Sequence, residues 1–271
     1  MLAWVDGCCA DTLSVKDRGL AYGDGVFETV AVKAGQPLLL ERHLQRLENG
    51  CQRLAIAIDQ MLVRTEMTRF AAELGDGVMK LILTRGDSQR GYAPAPDTQS
   101  RRILLGSPAP AYPVAHAEQG VRLFACQTRL AEQPLLAGLK HLNRLEQVLA
   151  RSEWSDSEHA EGLMCDTSGR LIEGVYSNLF LVSAGRVLTA DLSRCGVAGV
   201  MRAELVDQAR NLGLAVDIRD LHLSDLEAAD EVFLCNSVYG VWPVCRFAAL
   251  NWPVGPLTRK LQGIARALLD I

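Results

Sequence analysis

The sequence predicts a mixed α+β fold in two domains, on three observations. Strand-like runs outnumber helical ones, short turns join many of them, and a proline-rich stretch of small residues at 107–117, "SPAPAYPVAHA", divides the chain. A regular βαβ repeat would instead place a helix after each strand. No internal repeat or low-complexity tract is visible.

Along the first part, "VFETVAV" (26–32) and the "PLLL" that follows "KAGQ" read as a hairpin, since a short glycine-bearing turn separates two apolar segments. Helices are predicted for "ERHLQRLENGCQRLAI" and "MLVRTEMTRFAAEL". The runs "VMKLILTRG" and "RRILLG" read as strands on either side of the polar loop "RGDSQRGYAPAPDTQS". Three prolines in 107–117 sustain neither a helix nor a central strand, so the segment reads as a linker between domains at 1–106 and 118–271.

The second part continues with a strand at "VRLFAC" and then "GLKHLNRLEQVLAR" (138–151). From Leu142 onward this reads as an amphipathic helix, with Leu142, Leu145, Val148 and Leu149 at three- and four-residue steps. "EGLMCD" and "LIEGV" form a strand pair across "TSGR", and "SNLFLVS" and "RVLTA" another across "AG". A helix follows at "GVMRAELVDQARNLGL", then strands at "AVDIRD", "EVFLCN" and "GVWPV", and a closing helix at "LTRKLQGIARALLD".

At 271 residues, with 49% hydrophobic and 22% charged, the chain has the composition of an ordinary globular protein. A net charge of -4 argues against a general nucleic-acid surface, which needs a basic face. The start, "MLAWVDGCCADT", lacks a basic region ahead of an apolar run, and no run approaches the length of a membrane span, so a cytoplasmic protein without membrane contact is expected. Eight cysteines without a CxxC pair, and no HExxH, read as reduced thiols packed like small hydrophobes, with no metal site.

Five features carry chemistry. Lys140 stands before a helix, where a lysine is ordinarily a solvated surface residue. Here "PLLAGL" on one side and a half-apolar helix on the other would disfavour its charged form, which is what a Schiff-base amine needs. Glu173 lies inside a strand pair, so it either faces water or meets a cation such as a protonated pyridine nitrogen, the group that makes pyridoxal phosphate an electron sink. Gly196 and Gly199 precede a helix whose Val200 and Met201 would offer backbone N–H groups to a phosphate, although a plain turn is the alternative. Arg42 and Arg46 lie one turn apart on a helix that could equally be a solvated face, and Asn236 and Ser237 follow a strand as neutral phosphate donors.

The segments "YGDGVFETV" (22–30), "HLQRL" (43–47), "LKHLNRLEQVL" (139–149), "EGVYSNLF" (173–180), "GVAGVMR" (196–202) and "CNSVYGVWPV" (235–244) occur in an order that resembles the fold-type IV pyridoxal-phosphate enzymes. That family includes the branched-chain and D-amino-acid aminotransferases. The lysine segment, with "RGY" (90–92) and "MRAE", is most similar to the family's aminodeoxychorismate lyase branch.

The resemblance implies a two-domain α+β fold of D-amino-acid aminotransferase type, with pyridoxal 5'-phosphate in the interdomain cleft, and a homodimer. It makes Lys140 the Schiff-base lysine, Glu173 the partner of the pyridine nitrogen and Arg46 the phosphate ligand. Val200, Met201 and the turn from Asn236 through Ser237 to Val238 complete the phosphate cup. Relatives often carry Ser or Thr where Met201 stands, so a hydroxyl contact is lost, and the tyrosine that branched-chain transaminases place five residues after the lysine is Leu145 here.

The reaction implied is conversion of 4-amino-4-deoxychorismate to 4-aminobenzoate and pyruvate. Lys140 would remove the C4 proton, and either Lys140 or Thr29 would act as general acid. Arg90 and Arg144 are candidates for the two substrate carboxylates, with a helix-surface role equally open for Arg144. The alternatives are an aminotransferase of D- or branched-chain amino acids and a noncatalytic binding module.

Overall fold

The computed structural model describes residues 2–95 and 98–270, so Pro96 and Asp97 of the polar loop lie outside it. The chain forms two compact units, Met1–Pro110 with Leu139–Asn143, and Ala111–Gly138 with Arg144–Ile271.

The first unit holds β1 (Ala3–Val5), β2 (Cys8–Cys9), α1 (Arg18–Tyr22), β3 (Gly25–Lys33), β4 (Gln36–Pro37), α2 (Leu40–Arg53), α3 (Gln60–Leu74), β5 (Gly77–Thr84) and β6 (Arg101–Ser107). Its six strands form one sheet in the order β2-β1-β6-β5-β3-β4, antiparallel at every pairing. Along β3 the side chains alternate, so that Val26, Glu28, Val30 and Val32 are buried while Phe27 and Thr29 line the other face.

The hairpin after β3 turns on Ala34 and Gly35, both at positive φ, a geometry that matches the twist of antiparallel strands. Its second strand stops at Pro37, because Leu39 adopts a left-handed conformation and α2 starts at once; the "LLL" expected to extend the strand leads into a helix instead. From α2 the core receives Leu44, Leu47 and Cys51, and from α3 Val63, Met67 and Phe70, which pack with Met79, Leu81 and Leu104 of the sheet. Gly50 allows α2 close to β3, since a Cβ there would lie 3.1 Å from a Val26 methyl.

The second unit contains α4 (Val114–Glu118), β7 (Val121–Leu130), α5 (Leu145–Arg151), β8 (His159–Asp166), β9 (Leu171–Gly174), β10 (Asn178–Ser183), β11 (Arg186–Ala190), α6 (Val200–Asn211), β12 (Val216–Arg219), α7 (Leu223–Glu227), β13 (Glu231–Asn236), β14 (Gly240–Phe247), β15 (Leu250–Asn251) and α8 (Pro256–Leu269). Its main sheet runs β12-β11-β10-β13-β14-β7-β8-β9, and β9 pairs again with β10, so the six strands from β10 to β9 close into a barrel. Phe180 and Phe233 stack at 4.9 Å between ring centroids on adjacent strands, both fully buried. The strand runs β14–β7–β8 and β11–β12 are parallel, the rest antiparallel, which is the mixed α+β arrangement expected.

Two further expectations change. The segment 107–117 is not wholly irregular, because Val114 onward has no proline and forms the short helix α4 behind Pro113 at its N-cap. The helix expected from Leu142 begins only at Leu145, since the backbone of Lys140 and Leu142 is hydrogen-bonded to β3. Its apolar residues Leu145, Val148 and Leu149 are exposed, and Ala150 is the buried one. Among the described residues no helix is long and apolar enough to cross a membrane.

Candidate active site

Lys140 sits in an extended segment beside the N-terminal half of β3. The Phe27 N–H donates to the Lys140 carbonyl at 2.9 Å, the Leu142 N–H donates to the Gly25 carbonyl at 3.0 Å, and His141 bridges to Val26. That edge of β3 is open to pairing because the two-residue β4 covers only Val32 and Lys33. The Lys140 side chain is half-buried, with Nζ 4.3 Å from the Phe27 ring centroid. Lys80 stands 5.0 Å from the same centroid and directly opposite Thr29 in the β3–β5 ladder. Thr29 lies two residues beyond Phe27 on the same strand face as that ring.

Behind that face lies an ion cluster. Glu28 is buried, its Oε1 accepts from Arg46 Nε at 2.8 Å, and its Oε2 meets both Arg46 and His43 Nδ1, the latter at 2.6 Å. Burial opposes ionisation of Glu28, but the charge and hydrogen bonds of Arg46, with the hydrogen bond of His43, outweigh it and hold the pKa down to about 2. His43 is held below its ordinary value, first by burial and further by the positive charges of Arg46 and Lys140, against the pull of Glu28. Arg46 therefore belongs to a largely buried network rather than to a solvated helix face.

Asp24 of "YGDG" plays a structural part. Arg18 Nε and Arg85 Nε both reach it at 2.8 Å, and the same Arg18 guanidinium donates to the Gly91 and Tyr92 carbonyls at 3.0 and 2.7 Å. Arg18 thus clasps the loop that presents Arg90, which is itself exposed.

In the second unit Glu173 is buried at the end of β9. Its Oε2 accepts the Val197 N–H at 2.8 Å, and Asn178 Nδ2 lies 3.5 Å from it while donating to the Val197 carbonyl at 2.9 Å. Val197 in turn bridges to Gly138, two residues before Lys140 in the chain. Arg144, which precedes α5, is shifted below its ordinary pKa by burial, with the Glu173 charge acting in the opposite sense. Its environment is therefore unlike that of an ordinary helix-surface arginine.

Gly199 is the N-cap of α6, in extended conformation, and no side chain caps the helix, leaving the backbone N–H groups of Val200 and Met201 at its positive end. A Cβ at Gly199 would fall 1.9 Å from Asn178 Oδ1, so glycine is required for this approach. Asn236 closes the β13–β14 turn, with Oδ1 accepting from the Val238 and Tyr239 N–H groups at 2.9 and 3.0 Å, and Nδ2 donating to the Tyr176 carbonyl at 3.3 Å. Its side chain is spent on the protein, and half-buried Ser237 follows it in the turn.

The first unit thus gathers Lys140, Phe27 and Thr29 with the Glu28–His43–Arg46 cluster behind them. The second gathers Glu173, Asn178, Val197 and the start of α6. Sequence reasoning missed Phe27, Glu28, His43, Asn178 and Val197. For Glu28 a signal existed, because it occupies the buried register of an alternating strand, where a carboxylate needs a cation.

The chain belongs to the amino-transferase class IV family, whose model matches residues 25–247. It is 37% identical to the aminodeoxychorismate lyase of Vibrio harveyi over 96% of this chain and 98% of that protein. It is 30% identical to a putative branched-chain-amino-acid aminotransferase of Methanocaldococcus jannaschii over 92% and 88%. Among solved structures, the crystal structure of 4-amino-4-deoxychorismate lyase from Pseudomonas aeruginosa is 64% identical and covers both chains fully, with a TM-score of 0.98. The branched-chain amino acid aminotransferase of Escherichia coli, 23% identical over 100% and 94% with a TM-score of 0.83, shows the shared fold alone.

Proposed function

We propose that the protein is a pyridoxal 5'-phosphate-dependent lyase that converts 4-amino-4-deoxychorismate to 4-aminobenzoate and pyruvate, as a cytoplasmic homodimer. The observation that carries the reading is an amine and a buried carboxylate tied to one stretch of chain. Gly138 bridges to Val197, the Val197 N–H holds Glu173, and Lys140 follows Gly138 by two residues. Similarity to the lyases of Vibrio harveyi and Pseudomonas aeruginosa over nearly the whole chain supports the lyase branch.

The donor set fits the cofactor. Glu173 is a buried carboxylate able to hold a protonated pyridine nitrogen, and the uncapped start of α6, with a glycine where any Cβ would clash, suits a phosphate. In this reading Lys140 is the Schiff-base residue. Val200, Met201, Ser237 and the backbone of the turn that the Asn236 side chain holds line the phosphate, and Arg46, oriented by Glu28, adds positive charge. When bound, the cofactor supplies an electron sink for the bond to the acidic C4 proton.

The chain's own groups then move protons. The Lys140 amine takes the C4 proton, and Lys140 or Thr29 delivers one to the methylene carbon of the departing enolpyruvyl group, so that pyruvate leaves as the ring becomes aromatic. Arg90 and Arg144 offer cations to the two substrate carboxylates. The exposed stripe of Leu145, Val148 and Leu149 supports a second copy as its cover.

The test supplies aminodeoxychorismate and follows fluorescent 4-aminobenzoate together with pyruvate. Equal amounts of both support the lyase. No product, with conversion of the cofactor to pyridoxamine phosphate by a D- or branched-chain amino acid, would establish the aminotransferase reading, which the Methanocaldococcus jannaschii relative favours.

A further inference from the structure

Glu161, on β8, is fully buried and has no part in the roles assigned above. Its Oε1 accepts the N–H of Gly162 at 3.0 Å and of Val175 at 2.9 Å, and its Oε2 accepts Ser177 Oγ at 2.8 Å and the Tyr176 N–H at 3.4 Å. Three of these four donors belong to one turn. That turn, residues 174–177, joins β9 to β10 and closes on itself through the Gly174 N–H and the Ser177 carbonyl at 2.7 Å. Glu173 immediately precedes it, Asn178 immediately follows it, and the two are cross-strand partners.

The turn has further anchors. The Tyr176 carbonyl accepts from Asn236 Nδ2, and the Tyr176 hydroxyl donates to the Ala160 carbonyl, so the carboxylate sits beneath a segment touching two residues of the cofactor reading, Glu173 and Asn236. Gly174 keeps the space open, since a Cβ there would come 2.2 Å from Ser177 Oγ and 3.1 Å from the Glu161 carboxyl carbon. All four groups facing the side chain donate, which only a carboxylate satisfies without a donor meeting a donor. Burial pushes the pKa up to about 7, with those donors pulling the other way.

We propose that Glu161 is a positioning residue of the cofactor site, fixing the 174–177 turn and through it the Glu173 carboxylate that faces the pyridine nitrogen. This rests on the pyridoxal-phosphate reading. In Glu161→Gln the amide N–H₂ would confront a donor and displace the turn, whereas Ser177→Ala removes a single donor and leaves the carboxylate.

The experiment titrates pyridoxal phosphate into the cofactor-free full-length chain, for wild type and both variants. It records Kd, the position of the visible band, and the melting temperature of the cofactor-free protein. Glu161→Gln is expected to weaken Kd on the order of tenfold and to shift the band, with Ser177→Ala weakening it about threefold in the same direction. Wild-type Kd and band position in both variants, whatever their melting temperatures, would overturn the positioning role. If Glu161→Gln does not fold, Ser177→Ala decides alone by the same criterion. A wild-type protein without a visible band that depends on Lys140 would overturn the underlying cofactor reading, and this inference with it.

Discussion

Replacing Glu28 with glutamine removes one charge from a buried network while nearly keeping its shape. Glu28 is 1% exposed, so its interaction with Arg46 needs little discount for solvent screening. Its pKa falls from an ordinary 4.5 to about 2, which at about 1.4 kcal/mol for each tenfold change is about 3 kcal/mol favouring the ionised, folded form. Because the folded value is the lower one, this stability is fully present above pH 4.5 and is lost as pH falls toward about 2.

Urea unfolding of wild type and Glu28→Gln should therefore differ by about 3 kcal/mol at pH 7 and by only about 1 kcal/mol at pH 3. His43, whose pKa is also lowered and which bonds Glu28 directly, adds its own loss of stability as pH drops below 6.5, so the comparison is made in a His43→Gln background, where the two proteins differ only in the Glu28 carboxyl. A difference below about 1 kcal/mol at neutral pH, or one unchanged at pH 3, would refute the assignment of Glu28 as the charge that anchors Arg46.

Glu231 caps α8, accepting the Leu257 and Thr258 N–H groups at 3.1 and 2.7 Å. Glu231→Ala should cost about 1–2 kcal/mol in thermal or urea unfolding, and no measurable loss would contradict the cap. Phe180→Ala leaves a hole against Phe233 and should lower stability by about 3–5 kcal/mol, read from the urea midpoint. Gly199→Ala forces a methyl onto Asn178. It should weaken pyridoxal-phosphate binding roughly tenfold or more while the second unit keeps its circular dichroism, and unchanged affinity would argue against phosphate at the start of α6.

The alternation of strands, turns and long helices was legible because side-chain periodicity and turn residues act locally. The strand runs at 26–32, 78–86 and 231–236 all reappear in the sheets, the second ending at Thr84. Less visible was anything set by pairing at a distance. Leu142 fits a helical stripe, yet its N–H is taken by Gly25, more than a hundred residues earlier, so the helix starts three residues later. Glu173 was readable as a carboxylate in a strand pair, but its holder, the Val197 backbone, has no side-chain signature. Glu161 resembles any acid at a strand start until the turn at 174–177 folds over it. The short elements β1, β2 and α1 escaped because two- to five-residue elements carry too little periodicity.

The most direct test of the account is to reduce the cofactor-loaded protein with borohydride and locate the modification by peptide mass. The chain has five lysines, at 16, 33, 80, 140 and 260, and Lys80 shares the Phe27 ring with Lys140. A single phosphopyridoxyl group is expected on the peptide that contains Lys140, with none formed in Lys140→Ala. A label on the Lys80 peptide, or no covalent label at all, would contradict it.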